Sequence, residues 1–123
     1  MIHLPLPQDV RAQAEAELLE FCDRRVPESV RNEVRLDVAF RGNTATIFER
    51  RPPYVSSFIP ASENDQWTGR SIAQFRYDAG TRQCALYSTD RHGRWHEYDA
   101  FDPSERLEDL IAEVEADPTG IFW

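Results

Sequence analysis

Between Val34 and Arg41 apolar residues recur at every second position until Gly42-Asn43 breaks the run, and no other stretch restricts the possible folds so tightly. Val34, Leu36, Val38 and Phe40 take turns with Arg35, Asp37, Ala39 and Arg41, the period of a strand with one buried face. A two-residue break of this type between strand-like runs predicts a tight hairpin, with Thr44 to Arg51 returning as the second strand. The register follows from a two-residue loop: Phe40 faces Ala45, Val38 faces Ile47, Asp37 faces Phe48 and Arg35 faces Arg50. Such a hairpin carries an apolar face that the rest of the chain must cover.

Upstream, from Asp9 to about Arg25, Val10, Ala14, Leu18, Phe21 and Cys22 recur at helical spacing, with Gln13, Glu15, Glu17 and Glu20 towards the other side. An amphipathic helix is expected there; Pro27 ends it, and Glu28 to Asn32 adds a further helical turn. Downstream, Ile72 to Tyr77, Gln83 to Ser88 and Arg94 to Phe101 read as three more strands. Asp78-Ala79-Gly80-Thr81 and Asp90-Arg91-His92-Gly93 join them with the Asp-first, Gly-late chemistry of hairpin loops. Asp102-Pro103-Ser104-Glu105 predicts the start of a final helix, with an N-cap, a proline at the first helical position and a glutamate at the third. Leu107, Leu110, Ile111 and Val114 form its inner stripe, and Pro118 ends it. The stretch from Pro52 to Arg70, bearing Tyr54, Phe58 and Trp67, is a long aromatic loop, and 119–123 is an aromatic tail. The fold class expected is therefore α+β: an N-terminal helix, a five-stranded antiparallel sheet made of a hairpin and a three-stranded meander, and a C-terminal helix.

A second hydrophobic core would leave each half of 123 residues too small to be stable, so one domain over 1–123 is expected. No apolar stretch is long enough for a signal-peptide core or a membrane span, which predicts a cytoplasmic protein. Cys22 and Cys84 stand alone at a spacing that suits neither a zinc pair nor a redox motif, and are read as buried free thiols. All 14 basic side chains are arginine. With no lysine, a phosphate-binding loop, a Schiff base and a lysine general base are excluded. Residues 1–23 hold one arginine and five acids, 24–94 hold 12 arginines and eight acids, and 95–123 hold one arginine and nine acids, giving −4, +4 and −8. A basic middle between acidic ends can attract an anion despite the net charge of −8.

The hairpin register brings Arg35 opposite Arg50 on the face that also carries Arg41. Like charges directly opposite on a sheet are destabilising, so the pair calls for an anion, either Asp37 within the protein or a bound phosphate or carboxylate. Arg51 and Arg76 complete the candidate anion- or partner-binding set. Asp90, Arg91 and His96 form a second polar cluster, with His92 and Asp99 nearby. His92 and His96 lie too far apart along an extended chain to make a convincing metal pair, so no metal and no cofactor are expected. Tyr77, Tyr87, Trp95 and Tyr98 form either a stacking platform for single-stranded nucleic acid, with Arg76 and Arg94 beside it, or part of the core; the core reading is favoured. Ile121, Phe122 and Trp123 are expected to fold back through a Thr119-Gly120 turn onto the domain. Two functions stay open: a non-enzymatic binding module with an arginine-bearing sheet face for an anionic or protein partner, which is favoured, and a small hydrolase using carboxylates and His96. The partner's identity and the oligomeric state are not legible.

Four segments in order, Glu49-Arg50-Arg51-Pro52-Pro53, Ala73-Gln74-Phe75-Arg76-Tyr77, Asp90-Arg91-His92-Gly93-Arg94-Trp95-His96-Glu97-Tyr98 and Asp117-Pro118-Thr119-Gly120-Ile121-Phe122-Trp123, carry a resemblance over nearly the whole length. The chain resembles the bacterial domain-of-unknown-function family number three thousand and twenty-four. It departs from that pattern at Tyr54 and Ser88, where members often have tryptophan, and at Trp95, where they often have phenylalanine. The resemblance implies fold and domain extent and brings no activity, cofactor or partner.

Overall fold

A computed structural model describes residues 6–52 and 68–123. The first helix, α1 (Gln8–Arg25), starts after Pro7, whose φ of −54° is already helical, and ends at Val26, which Pro27 holds in extended backbone. Asp9 in its first turn and Arg24 and Arg25 in its last suit the helix dipole. Leu18, Phe21 and Cys22 are buried, whereas Val10 and Ala14, two turns earlier, are only half covered. A 3₁₀ turn over Glu28–Val30 leads into the sheet.

The sheet has five strands in the order β1-β2-β3-β4-β5, every neighbour antiparallel: β1 (Arg35–Arg41), β2 (Thr44–Arg51), β3 (Thr68–Asp78), β4 (Gln83–Thr89) and β5 (Trp95–Glu97). The first hairpin has the register its two-residue loop demands, with Arg35 paired to Arg50, Asp37 to Phe48, Val38 to Ile47 and Phe40 to Ala45. Gly42 carries the positive φ of the turn, +57°. Asn43 then ties the turn to β3: its side-chain amide donates to the Tyr77 carbonyl at 2.8 Å and its own carbonyl accepts from the Tyr77 N–H at 2.9 Å. A β-bulge between Ile47 and Phe48 shifts the β2–β3 register and leaves both Ile72 and Ala73 buried.

β3 begins at Thr68, inside the 52–70 stretch expected as an aromatic loop and ahead of the expected strand start at Ile72; Tyr54, Phe58 and Trp67 lie outside the described residues. β5 covers only Trp95–Glu97 rather than Arg94 to Phe101, with one further ladder bond from the Tyr98 N–H to the Leu86 carbonyl at 2.8 Å before the chain turns. The largest departure is the last helix. Its capping signal at Asp102-Pro103-Ser104 is not used, and α2 runs over Leu107–Ala116. Ser104 instead exchanges two backbone hydrogen bonds with Cys84, at 2.8 and 3.0 Å, so the segment adds a bridge to β4 where a first helical turn was expected. A pair of sheet bonds made at long range outcompetes a local cap of about 1 kcal/mol.

Both helices lie on one face of the sheet. Leu18 and Phe21 from α1, Leu110, Ile111 and Val114 from α2, and Leu36, Ala45, Ile47, Phe75 and Leu86 from the strands form one buried cluster. The tail closes it. Asp117, in the left-handed region at φ 46°, accepts the N–H groups of Phe122 and Trp123 on its two carboxylate oxygens at 3.1 and 3.2 Å. Phe122 is buried against Tyr98, ring centroids 5.0 Å apart, and the Trp123 indole N–H donates to the Val114 carbonyl at 2.8 Å. Ile121 stays outside, half exposed. No helix among the described residues is long and apolar enough to cross a membrane.

Candidate functional site

Strand alternation divides the arginines between the two sheet faces. Arg35, Asp37, Ala39 and Arg41 on β1 point away from the helices, as do their partners Arg50, Phe48, Thr46 and Thr44 on β2. The opposed Arg35 and Arg50 are compensated from within the protein. Arg50 Nε lies 2.6 Å from an Asp37 carboxylate oxygen, and Arg35 Nε donates to the Arg31 carbonyl at 3.1 Å. Arg51 falls on the other face and pairs with Glu49 at 3.1 Å, a carboxylate that Arg70 also approaches at 3.8 Å. Of the five candidate arginines, Arg51 is therefore on the face opposite Arg35, Arg41 and Arg50.

Arg76 is held differently. On the face opposite α1 and α2, helix-free among the described residues, the Thr46 hydroxyl accepts from the Gln74 amide at 3.0 Å, the Gln74 carbonyl oxygen accepts from Arg76 Nε at 2.7 Å, and the guanidinium lies over the Tyr87 ring, 3.8 Å from its centroid. One edge of the guanidinium is tied and one plane is stacked, which leaves the terminal nitrogens as an oriented fork. Arg76 has no carboxylate partner among the described residues, and neither has Arg41. The two stand in one row across the sheet, Arg41–Thr44–Arg76–Ala85, separated by a threonine and bordered by an alanine. Two strand spacings put their backbones roughly 10 Å apart. Gln74 and Thr46 did not enter the sequence-based candidate set, although Gln74 stands two residues from Arg76 and so shares its face.

The four aromatics divide as well. Tyr98 is buried on the helix side, its hydroxyl donating to Glu113 at 2.6 Å, and Tyr77 is on that same side. Burial raises the Tyr98 pKa above its ordinary value, and the hydrogen bond to Glu113 adds to this. Tyr87 and Trp95 lie on the helix-free face, which also carries Phe48. Of the four, Tyr98 is in the core, and Tyr77 is half-buried beside it on the same face.

Asp90 spends its carboxylate on its own turn. One oxygen accepts the N–H groups of His92 and Arg94, at 2.8 and 3.0 Å, and the other lies 2.8 Å from His96 Nε2. The hydrogen bond from His96, followed by the Arg94 N–H, holds the Asp90 carboxyl at about 2. Arg91 reaches only sideways, its Nε 3.4 Å from His92 Nε2. With Gly93 at φ +79°, the cluster has the architecture of a fastened β4–β5 loop. Among the described residues, no three His, Cys, Asp or Glu side chains are grouped to hold a metal ion.

Both thiols are free, Cys22 buried and Cys84 partly so. Burial pushes each to about 11, with Asp37 and Asp23 adding to the effect at Cys22. No curated protein and no solved structure matches the chain. The family described as a domain of unknown function, DUF3024, matches residues 6–123, which span all five strands, both helices and the aromatic tail, and the chain belongs to that family.

Proposed function

We propose that this chain is a non-enzymatic binding module that takes an anionic partner on the helix-free face of its sheet. The observation that carries the reading is Arg76: stacked on Tyr87, tied at Nε by Gln74, and without a carboxylate among the described residues. A guanidinium fixed in this way loses little further freedom on accepting a carboxylate or phosphate, so more of the bidentate interaction reaches the binding free energy. Arg41 in the same row supplies a second charge. Arg35 and Arg50 shape the field at the far end of the face, with Asp37 cancelling much of it.

Pyrophosphate is a suitable probe, since its two phosphate groups can engage both arginines. In amide-resolved NMR titrations of the full chain at low salt, shifts are expected along Arg41, Thr44, Arg76 and Ala85. Arg76→Ala should weaken binding about tenfold or more, the scale of a charged hydrogen-bonded pair, and Arg50→Ala should change it by less than about threefold. Affinity should fall as salt rises. Equal affinity in Arg76→Ala, or shifts confined to the helix side, overturns the proposal.

A further inference from the structure

The displaced start of α2 leaves a gap. Glu17 of α1 stands beside Glu108 of α2, and Arg24 beside Glu115 at 2.8 Å, so the two helices run in parallel with the same seven-residue step on each. α2 begins at Leu107, so the first turns of α1, before Glu17, have no helix beside them among the described residues. The space is a cleft of about 440 Å³, within the range of small-molecule sites. Its floor is apolar: Leu18 of α1, Ala45 of β2 and Phe75 of β3, all buried from outside, with Val10, Ala14 and Leu107 along its sides.

The charges around the cleft are unequal. Arg106 is occupied, 2.9 Å from Glu108 and 3.8 Å from Asp109. That leaves Glu17 and Glu105 against Arg82, which stands on the β3–β4 turn. Glu17 has no cation among the described residues; its contacts are the Gln13 amide at 3.4 Å and the carboxyl of Glu108. Burial raises the Glu17 pKa, the hydrogen bond from Gln13 partly offsets this, and the neighbouring Glu108 carboxyl raises it further. A cation at the same place would offset both the burial of the carboxylate and its repulsion from Glu108.

We propose that this cleft binds a small organic cation, an ammonium or guanidinium group on an apolar body, with the body on the Leu18–Ala45–Phe75 floor and the charge against Glu17. The site is on the opposite side of the sheet from Arg76 and is independent of the anion-binding face.

The test uses the full chain and three probes of similar shape: 2-phenylethylammonium, the uncharged 2-phenylethanol and the anionic 3-phenylpropionate. Amide-resolved NMR titrations should show the ammonium perturbing Val10 to Leu18 and Glu105 to Glu108. It should bind about fivefold or more tighter than the alcohol, the scale of a single partly exposed ion pair, with the carboxylate weakest. Glu17→Gln should remove the preference for ammonium over alcohol. Ala14→Phe, which fills the side of the cleft, should weaken both while leaving the amide spectrum of the sheet intact. Equal affinity for the three probes, a preference that survives Glu17→Gln, perturbations outside the cleft, or no binding by any probe each overturns the proposal.

Discussion

Replacing Phe122 by alanine measures how far the last residues hold the domain together. The ring is 1% exposed and packs on Tyr98 at a centroid distance of 5.0 Å, so the substitution opens a cavity in the core. Truncating a buried phenylalanine costs about 3 to 5 kcal/mol, out of a total stability of roughly 5 to 15 kcal/mol. An unfolding entropy of roughly 2.1 cal/mol/K per residue gives about 0.26 kcal/mol/K for 123 residues, so Tm should fall by about 12 to 19 °C. Circular dichroism melts at two protein concentrations tenfold apart provide the assay. Ile121→Ala is the control: that side chain is 50% exposed and should move Tm by less than about 3 °C. A fall below about 4 °C for Phe122→Ala would refute the burial argument. A fall that depends on protein concentration would mean that the tail is packed between two molecules.

Asp117→Ala should cost about 2 kcal/mol or more, because two N–H groups lose their acceptor and alanine is strained at φ 46°, whereas Asp117→Asn should cost less than half as much; urea denaturation of both variants compares them. The Asp90 carboxyl should titrate near 2 in carbonyl-detected NMR. Its folded-state value is depressed from an ordinary 3.8, so the stability it contributes is present above about pH 4 and disappears as the pH falls through 2; the Asp90→Asn variant should be less stable than wild type at pH 7 and converge with it by pH 2. Cys22 and Cys84, both held at about 11, should react with a disulfide reagent at pH 8 far more slowly than free cysteine until the protein is unfolded.

The parts of the fold that were legible are those specified by short-range geometry. Gly42-Asn43 leaves a two-residue loop only one register, and every pair from Arg35–Arg50 to Phe40–Ala45 follows from it. Ser104 went the other way: its local pattern is that of a helix N-terminus, and the competing partner, Cys84, lies 20 positions earlier on a strand whose alignment the local pattern does not reveal. The same gap obscured the site. Once β3 and β4 are in register, Tyr77 and Cys84 face the helices, and Arg76 and Tyr87 face away. The stacking of Arg76 on Tyr87 is a diagonal contact between two strands joined by a four-residue turn, in which Arg82 rather than Gly80 takes the positive φ of +58°. Arg76 becomes the candidate anchor of the proposed site only once Asp37 is seen against Arg50 and the Arg31 carbonyl against Arg35.

The sheet pairs each strand with its neighbour in sequence, and the β1–β2, β3–β4 and β4–β5 hairpins close short loops, so most of its contacts are cheap to form. The helical layer lacks this advantage. Arg24 meets Glu115 across 91 residues, and Phe21 meets Trp123 across still more. During synthesis, α1 therefore emerges well before α2 and the tail, and Leu18 and Phe21 lack those partners until Phe122 and Trp123 have left the ribosome. Throughout that interval α1 presents a helix face that a chaperone can hold and that another nascent copy can capture.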